Sequence, residues 1–257
     1  MTEVLWANLK AHELRALAGR DALVIQPVAS LEQHGPHLPV QVDVTLVSEV
    51  ALRAAREIAE QAPVVVAPTL WAGLAEHHMS LGGTITLDLA TYHAVLRCLC
   101  RSFQRQGFGR ICLLNGHGGN VSALANISAD LTVELGVPVT TATYWTLPET
   151  AKAFAGILER QSNVRHACEA ETSMMLALRP ELVDRESAAA LEGPLEGLAG
   201  HDGIYRWRSM AWWTETGVMG VPKAASAGKG EQLLAAAASA LARALVNPAL
   251  WAEDRMA

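Results

Sequence analysis

The sequence predicts an α/β protein built as a three-layer α/β/α sandwich around a mostly parallel sheet. Two patterns carry this reading. Short apolar runs rich in branched residues, at 22–28, 64–69, 110–114 and 137–144, read as strands. They alternate with helical periodicity at 44–60, 89–106 and 121–135. Strand–helix alternation implies right-handed crossovers and helices on both sheet faces. Strands buried on both faces need continuous apolar character, as in ALVIQPV and ICLLN.

The chain has 257 residues, 51% hydrophobic and 18% charged. That length suits one α/β domain, so residues 1–257 read as a single unit. Gly107 and Gly136 sit where helices 89–106 and 121–135 should end. Between 186 and 230 periodicity fades and Gly, Ser, Trp and charged residues dominate, including Trp207, Trp212 and Trp213. This predicts an irregular segment that covers the site or meets another subunit. The apolar run at 233–246 is broken by Ser239 and Arg243 and is too short to span a bilayer, so it reads as a packed C-terminal helix.

A formal charge of −6 with no Lys/Arg cluster argues against a nucleic-acid partner, which needs a basic face. The opening MTEVLWANLKAHEL fits neither a signal peptide nor a membrane span, which places the protein in the cytoplasm with no membrane partner. Cys98, Cys100, Cys112 and Cys168 show no CxxC spacing and read as small core residues.

Three segments carry candidate chemistry. The loop SLEQHGPHLPVQVD, at 30–43, follows the first strand and gathers Glu32, His34, His37 and Asp43 where open α/β sheets bind ligands. Gly35, Pro36 and Pro39 restrict its backbone, and Asp43 alone would also suit an N-cap. NGHGGN, at 115–120, presents His117 between glycines at the same sheet edge. HACEAETS, at 166–173, runs into an apolar helix; Glu169 suits a capping role there, whereas Glu171 is a carboxylate that needs a cation. This mixed imidazole and carboxylate set suits zinc, manganese or iron, with Asp43 placed to bridge two divalent ions. No GxSxG elbow, Walker A loop or HExxH helix is present.

In LEQHGPHLP with its following VD, GGTITLD, NGHGGN, the Tyr144–Trp145 pair, HACEAETSMMLALRPELVD and GVMGVPKAASAGKGEQLL, in this order, the chain resembles the creatininase (creatinine amidohydrolase) family over roughly 24–234. The resemblance implies an α/β/α sandwich assembled as a homohexamer, with two divalent metals (Zn, Mn or Fe) per subunit. By matching position, Glu32, Asp43 and His117 would hold one metal, and His34 and Asp43 the other. His166 matches the catalytic histidine, a proton donor to the leaving nitrogen. Trp145, His77, Gly118 and Gly119 fall at substrate-facing positions, and His78 lies close by. The implied reaction is attack of a metal-bridging hydroxide on a small amide or cyclic amide, cleaving a C–N bond.

The chain departs from creatininase itself at three positions. Gly119 stands where that enzyme carries a metal-binding Glu, so Glu171 is expected to supply the missing carboxylate. Arg165 and Ser162 replace a Glu and a Trp, which argues against creatinine as the substrate. A deformylase or peptidase-like member of the family, and a non-catalytic metal-binding assembly protein, are the alternatives.

Overall fold

The computed structural model describes residues 2–196 and 206–252. Four strands, β1 (Leu23–Val28), β2 (Val64–Val66), β3 (Arg110–Asn115) and β4 (Val139–Thr143), form one all-parallel sheet in the order β2-β1-β3-β4. Eight helices are described: α1 (Ala11–Ala18), α2 (Val42–Ile58), α3 (Leu89–Arg105), α4 (Val121–Leu135), α5 (Pro148–Ile157), α6 (Glu169–Leu178), α7 (Arg185–Ala190) and α8 (Ala227–Val246).

The two-residue period of the strands divides the interior in two. Leu23, Ile25, Val64, Val66, Cys112 and Leu114 point into a core shared with α2, α5, α6 and α8. Their neighbours Val24, Val28, Val65, Ile111 and Leu113 point to the opposite face, where α1, α3 and α4 pack. Both faces are therefore covered, which is the three-layer sandwich the apolar runs implied.

Several boundaries differ from the sequence reading for local reasons. β2 stops at Val66 instead of 69, because Pro68 has no N–H for the ladder; its carbonyl instead accepts from the buried Gln26 amide at 2.9 Å. α2 begins at Val42, so Asp43 lies inside the first turn and caps nothing. α8 begins six residues earlier than the apolar run, where the Ser226 hydroxyl accepts from the Lys229 N–H at 3.3 Å. Gly136 ends α4 in the left-handed conformation, and Gly107 follows α3 with φ of 93°.

Of the four cysteines, three are buried, but Cys98 is exposed on α3 and is no core residue. The segment 186–230 is less irregular than expected: it contains most of α7, two short 3-10 turns and the start of α8, while its residues 197–205 lie outside the described residues. No helix among the described residues is long and apolar enough to cross a membrane.

Candidate metal centre

The carboxyl ends of β1 and β3 open into loops that meet the N-termini of α2 and α6. Glu32 and His34 come from the loop after β1, Asp43 from the first turn of α2, His117 from the loop after β3, and Glu171 from the first turn of α6. All five are buried, between 1% and 5% exposed. Burying so many polar groups together is costly without compensating charge.

The ligand atoms are brought together in three overlapping triads, each within 4.8 Å: Glu32–Asp43–His117, His34–Asp43–Glu171 and Glu32–His34–His166. Asp43 belongs to two of them. His117 Nδ1 lies 2.9 Å from Glu32 Oε2 and 3.1 Å from Asp43 Oδ2. His34 Nε2 lies 3.3 Å from Asp43 Oδ1 and 3.7 Å from Glu171 Oε1.

The outer ring nitrogens decide what the inner ones carry. His117 Nε2 is 3.1 Å from the Leu74 carbonyl, His34 Nδ1 is 3.1 Å from the Glu32 carbonyl, and His166 Nε2 is 2.7 Å from the Gln33 carbonyl. A carbonyl only accepts, so in each case that nitrogen bears the proton. In the neutral rings, the form that binds metal, the tautomers assigned this way leave His117 Nδ1 and His34 Nε2 as lone pairs aimed at carboxylates. His34 Nε2, Glu32 Oε2 and Asp43 Oδ2 have no hydrogen-bond partner. Lone pairs facing carboxylates repel unless a proton or a metal ion stands between them, so this donor set fits a divalent metal, and the backbone carbonyls behind the rings orient it.

The protonation energetics point the same way. Although burial opposes the charged ring, the neighbouring carboxylates push His117 up to about 10 and raise His34 well above the usual imidazole range. Against its desolvation, Asp43 is held well below the ordinary carboxylate range by the two imidazoles, whereas burial raises Glu32. The cluster demands positive charge.

Around this floor, a cavity of about 1060 Å³ opens to the surface. Of the expected substrate-facing residues, Trp145, His77, Gly118 and Gly119 all line it, as does His166. Burial pulls His77 down to about 4, so its ring is neutral as it stacks 5.6 Å from His117. Trp145 packs edge-on against the buried Tyr144 at 4.8 Å.

His166, the expected proton donor, stands beside the two Asp43 triads. Its one proton is committed to the Gln33 carbonyl, and its Nδ1 faces Glu32 Oε1 at 3.5 Å. Burial pulls the ring well below the usual imidazole range, so it is neutral and Nδ1 carries a lone pair. It is held by backbone: the next residue, Ala167, takes a positive φ of 51°, and His166 exchanges two backbone hydrogen bonds with Met219.

Gly119 accounts for one departure from creatininase. A Cβ there would stand 2.2 Å from the Leu74 carbonyl oxygen and 2.4 Å from His117 Nε2, so no side chain fits. Glu171 fills a place beside His34 instead, and its Oε2 also accepts from the Cys168 N–H at 3.4 Å. Glu169 lies in the first turn of α6 as expected but does not cap it: its carboxylate accepts from the Glu159 and Arg160 N–H groups at 3.0 Å and pairs with Lys229 at 2.7 Å, and the acid that bonds back to the helix start is Glu171. His37 turns away from the triads to Thr172 Oγ1 at 2.9 Å, and burial pulls it down to about 4.

Three supporting groups escaped the sequence reading. Gln33 Nε2 donates to His78 Nδ1 at 2.8 Å, leaving His78 Nε2–H to face Glu32 Oε1 at 3.3 Å. His78 is thus a buried prop for Glu32 and does not line the cavity. Asn115 accepts from the His117 N–H at 3.1 Å and donates to its carbonyl at 2.8 Å. Asn120 Oδ1 accepts from the Leu74 N–H at 3.0 Å, fixing the carbonyl that orients His117. The two asparagines bracketing NGHGGN were the available signal, since a loop that presents one side chain needs its backbone tied.

The fold and site define a class: α/β/α proteins with a buried carboxylate–imidazole metal centre at the carboxyl ends of parallel strands. The family model described as creatinine amidohydrolase matches residues 7–245, and the chain belongs to this creatininase family of hydrolases. It is 31% identical to the mycofactocin precursor peptide peptidase of Mycolicibacterium smegmatis over 246 residues, covering 94% of this chain and 90% of that one. It is 32% identical to the creatinine amidohydrolase of Pseudomonas putida over 197 residues, covering 71% and 72%. A crystal structure of creatininase superposes with a TM-score of 0.81 at 28% identity, covering 95% of this chain and 97% of that one. Solved relatives include a creatininase of Zn–Zn type, with a TM-score of 0.80, 28% identity and 95% and 98% coverage. A manganese creatininase has a TM-score of 0.78 and 27% identity, with the same coverage.

Proposed function

We propose that the protein is a metal-dependent amidohydrolase that cleaves a C–N bond of a small amide or cyclic amide. One observation carries the reading: with their outer nitrogens bonded to backbone carbonyls, the inner nitrogens of buried His34 and His117 face Asp43 at 3.3 and 3.1 Å, a place that only a proton or a metal ion can neutralise. In this reading Glu32, Asp43 and His117 hold one divalent ion, and His34, Asp43 and Glu171 the second. Zinc, manganese and iron all suit this mixed donor set. When bound, the ions supply an activated water and polarise the substrate carbonyl.

The chain's own groups do the rest. His166 Nδ1 accepts the proton released by the attacking water and passes it to the departing nitrogen, while Nε2–H stays bonded to the Gln33 carbonyl. His78 and Gln33 hold Glu32 and His166 in register. Trp145 and His77 offer flat walls for a planar amide, and Gly118 and Gly119 keep the approach to His117 open. The reading extends to a single domain over 1–257, a homohexamer and a cytoplasmic location.

A second reading, peptidase-like hydrolysis, is favoured by the similarity to the mycofactocin precursor peptide peptidase over nearly the whole chain. Both readings are tested by stripping metal with a chelator, restoring manganese or zinc, and screening lactams, cyclic ureas, formamides and short peptides. Activity should vanish and return with the ions, and Asp43→Ala should stay folded by circular dichroism without turnover. Full turnover by metal-free protein would refute the reading.

A further inference from the structure

We propose that the cavity selects amides carrying a free carboxylate at the end remote from the scissile bond, and that Arg206 and Arg208 hold that carboxylate. The proposal rests on the amidohydrolase reading and deepens it to a substrate class. It begins with size. At about 1060 Å³ the cavity stands at the top of the range for small-molecule sites, roughly 300–1,000 Å³, and a compact ring on the metal floor leaves most of it to water. Its wall includes Trp145 and Trp213 together with the exposed Arg206 and Trp207 and the half-buried Arg208.

Charge supplies the second argument. Among the described residues, Arg206 and Arg208 have no carboxylate partner, unlike Arg53, Arg97 and Arg243. The Arg208 guanidinium lies 4.0 Å over the Trp212 ring, a stack that fixes its plane and leaves its edge donors for a ligand. A carboxylate matches that edge with two parallel hydrogen bonds. The wall also carries Arg165, Glu76 and Asp88; Asp88 is occupied at the start of α3, accepting from the Thr91 N–H at 2.7 Å. In a chain of net charge −6, the Arg206 and Arg208 guanidiniums on the cavity wall attract anions.

The test is titration calorimetry on manganese-loaded protein with two hydroxamates of equal length, one ending in a carboxylate and the other in a carboxamide. Both present the same metal-binding head. The carboxylate form should bind at least tenfold more tightly. The double variant R206Q/R208Q, checked for folding by circular dichroism, should bring the ratio near one and leave carboxamide binding unchanged. Equal binding by the unsubstituted protein, or a preference that survives the double substitution, overturns the proposal and leaves the metal centre standing. Binding of neither hydroxamate would overturn the metal-centre reading, and the proposal with it.

Discussion

Loading the metal-free protein with manganese near pH 7.5 should release about two protons per chain, one each from His34 and His117. The carboxylates around them raise both rings, His117 to about 10, so both are charged in the ion-free site at that pH. A metal ligand must be neutral imidazole, so each proton has to leave. For His117 the gap between about 10 and 7.5 corresponds to about 3 kcal/mol, a weakening of apparent affinity by more than roughly hundredfold. The sign follows: affinity rises with pH through the neutral range and levels only as pH passes the raised value. Calorimetric titration in buffers of different ionisation enthalpy reads the number directly, as the slope of observed heat against buffer heat. A slope near zero would refute the reasoning, because it would mean that the imidazoles are already neutral and the carboxylates do not hold them charged.

Three further outcomes follow from the geometry. Glu171→Gln should retain about one metal equivalent by elemental analysis, since the Glu32–Asp43–His117 triad is left complete; two retained equivalents would remove Glu171 from the ligand set. Gly119→Ala should lower both the melting temperature and metal content, because its Cβ meets the Leu74 carbonyl and the His117 ring, an overpacking cost of about 1–3 kcal/mol. Lys229→Ala should destabilise the fold by about 3 kcal/mol in denaturant titration while leaving metal content unchanged, as Glu169, fully buried, loses its cation but stays clear of the triads.

The sheet and its flanking helices were legible because apolar runs and helical periodicity are local properties of a sequence. α4 was delimited to the residue, and β1 and β3 to within one. The five ligand candidates were legible for a related reason. Each sits where a strand or a helix begins or ends, so the fold class itself carries them to one sheet edge. What escaped was contact between segments far apart in the chain. Gln33 and His78 are separated by 45 positions, and neither has a spacing that announces a hydrogen bond to the other. The direction of the His166 proton was equally hidden, since it depends on a carbonyl 133 residues away. Asp43 was read as a possible cap because a helix boundary is uncertain by a residue or two, and one residue decides whether an acid caps or points inward.

Gln33 has a consequence for anyone who would re-engineer selectivity. Its side chain touches His78 and His166, accepts from the Gly35 N–H at 2.9 Å and approaches the Gly217 carbonyl at 3.5 Å, while Met219 is bonded to the His166 backbone. The stretch from 217 to 219 is thereby stitched to the floor of the cavity, whereas 206–213 stands upstream of those stitches. A loop graft meant to change what the protein accepts should end before 214, because a crossover further on would unpick the knot that aims the histidine.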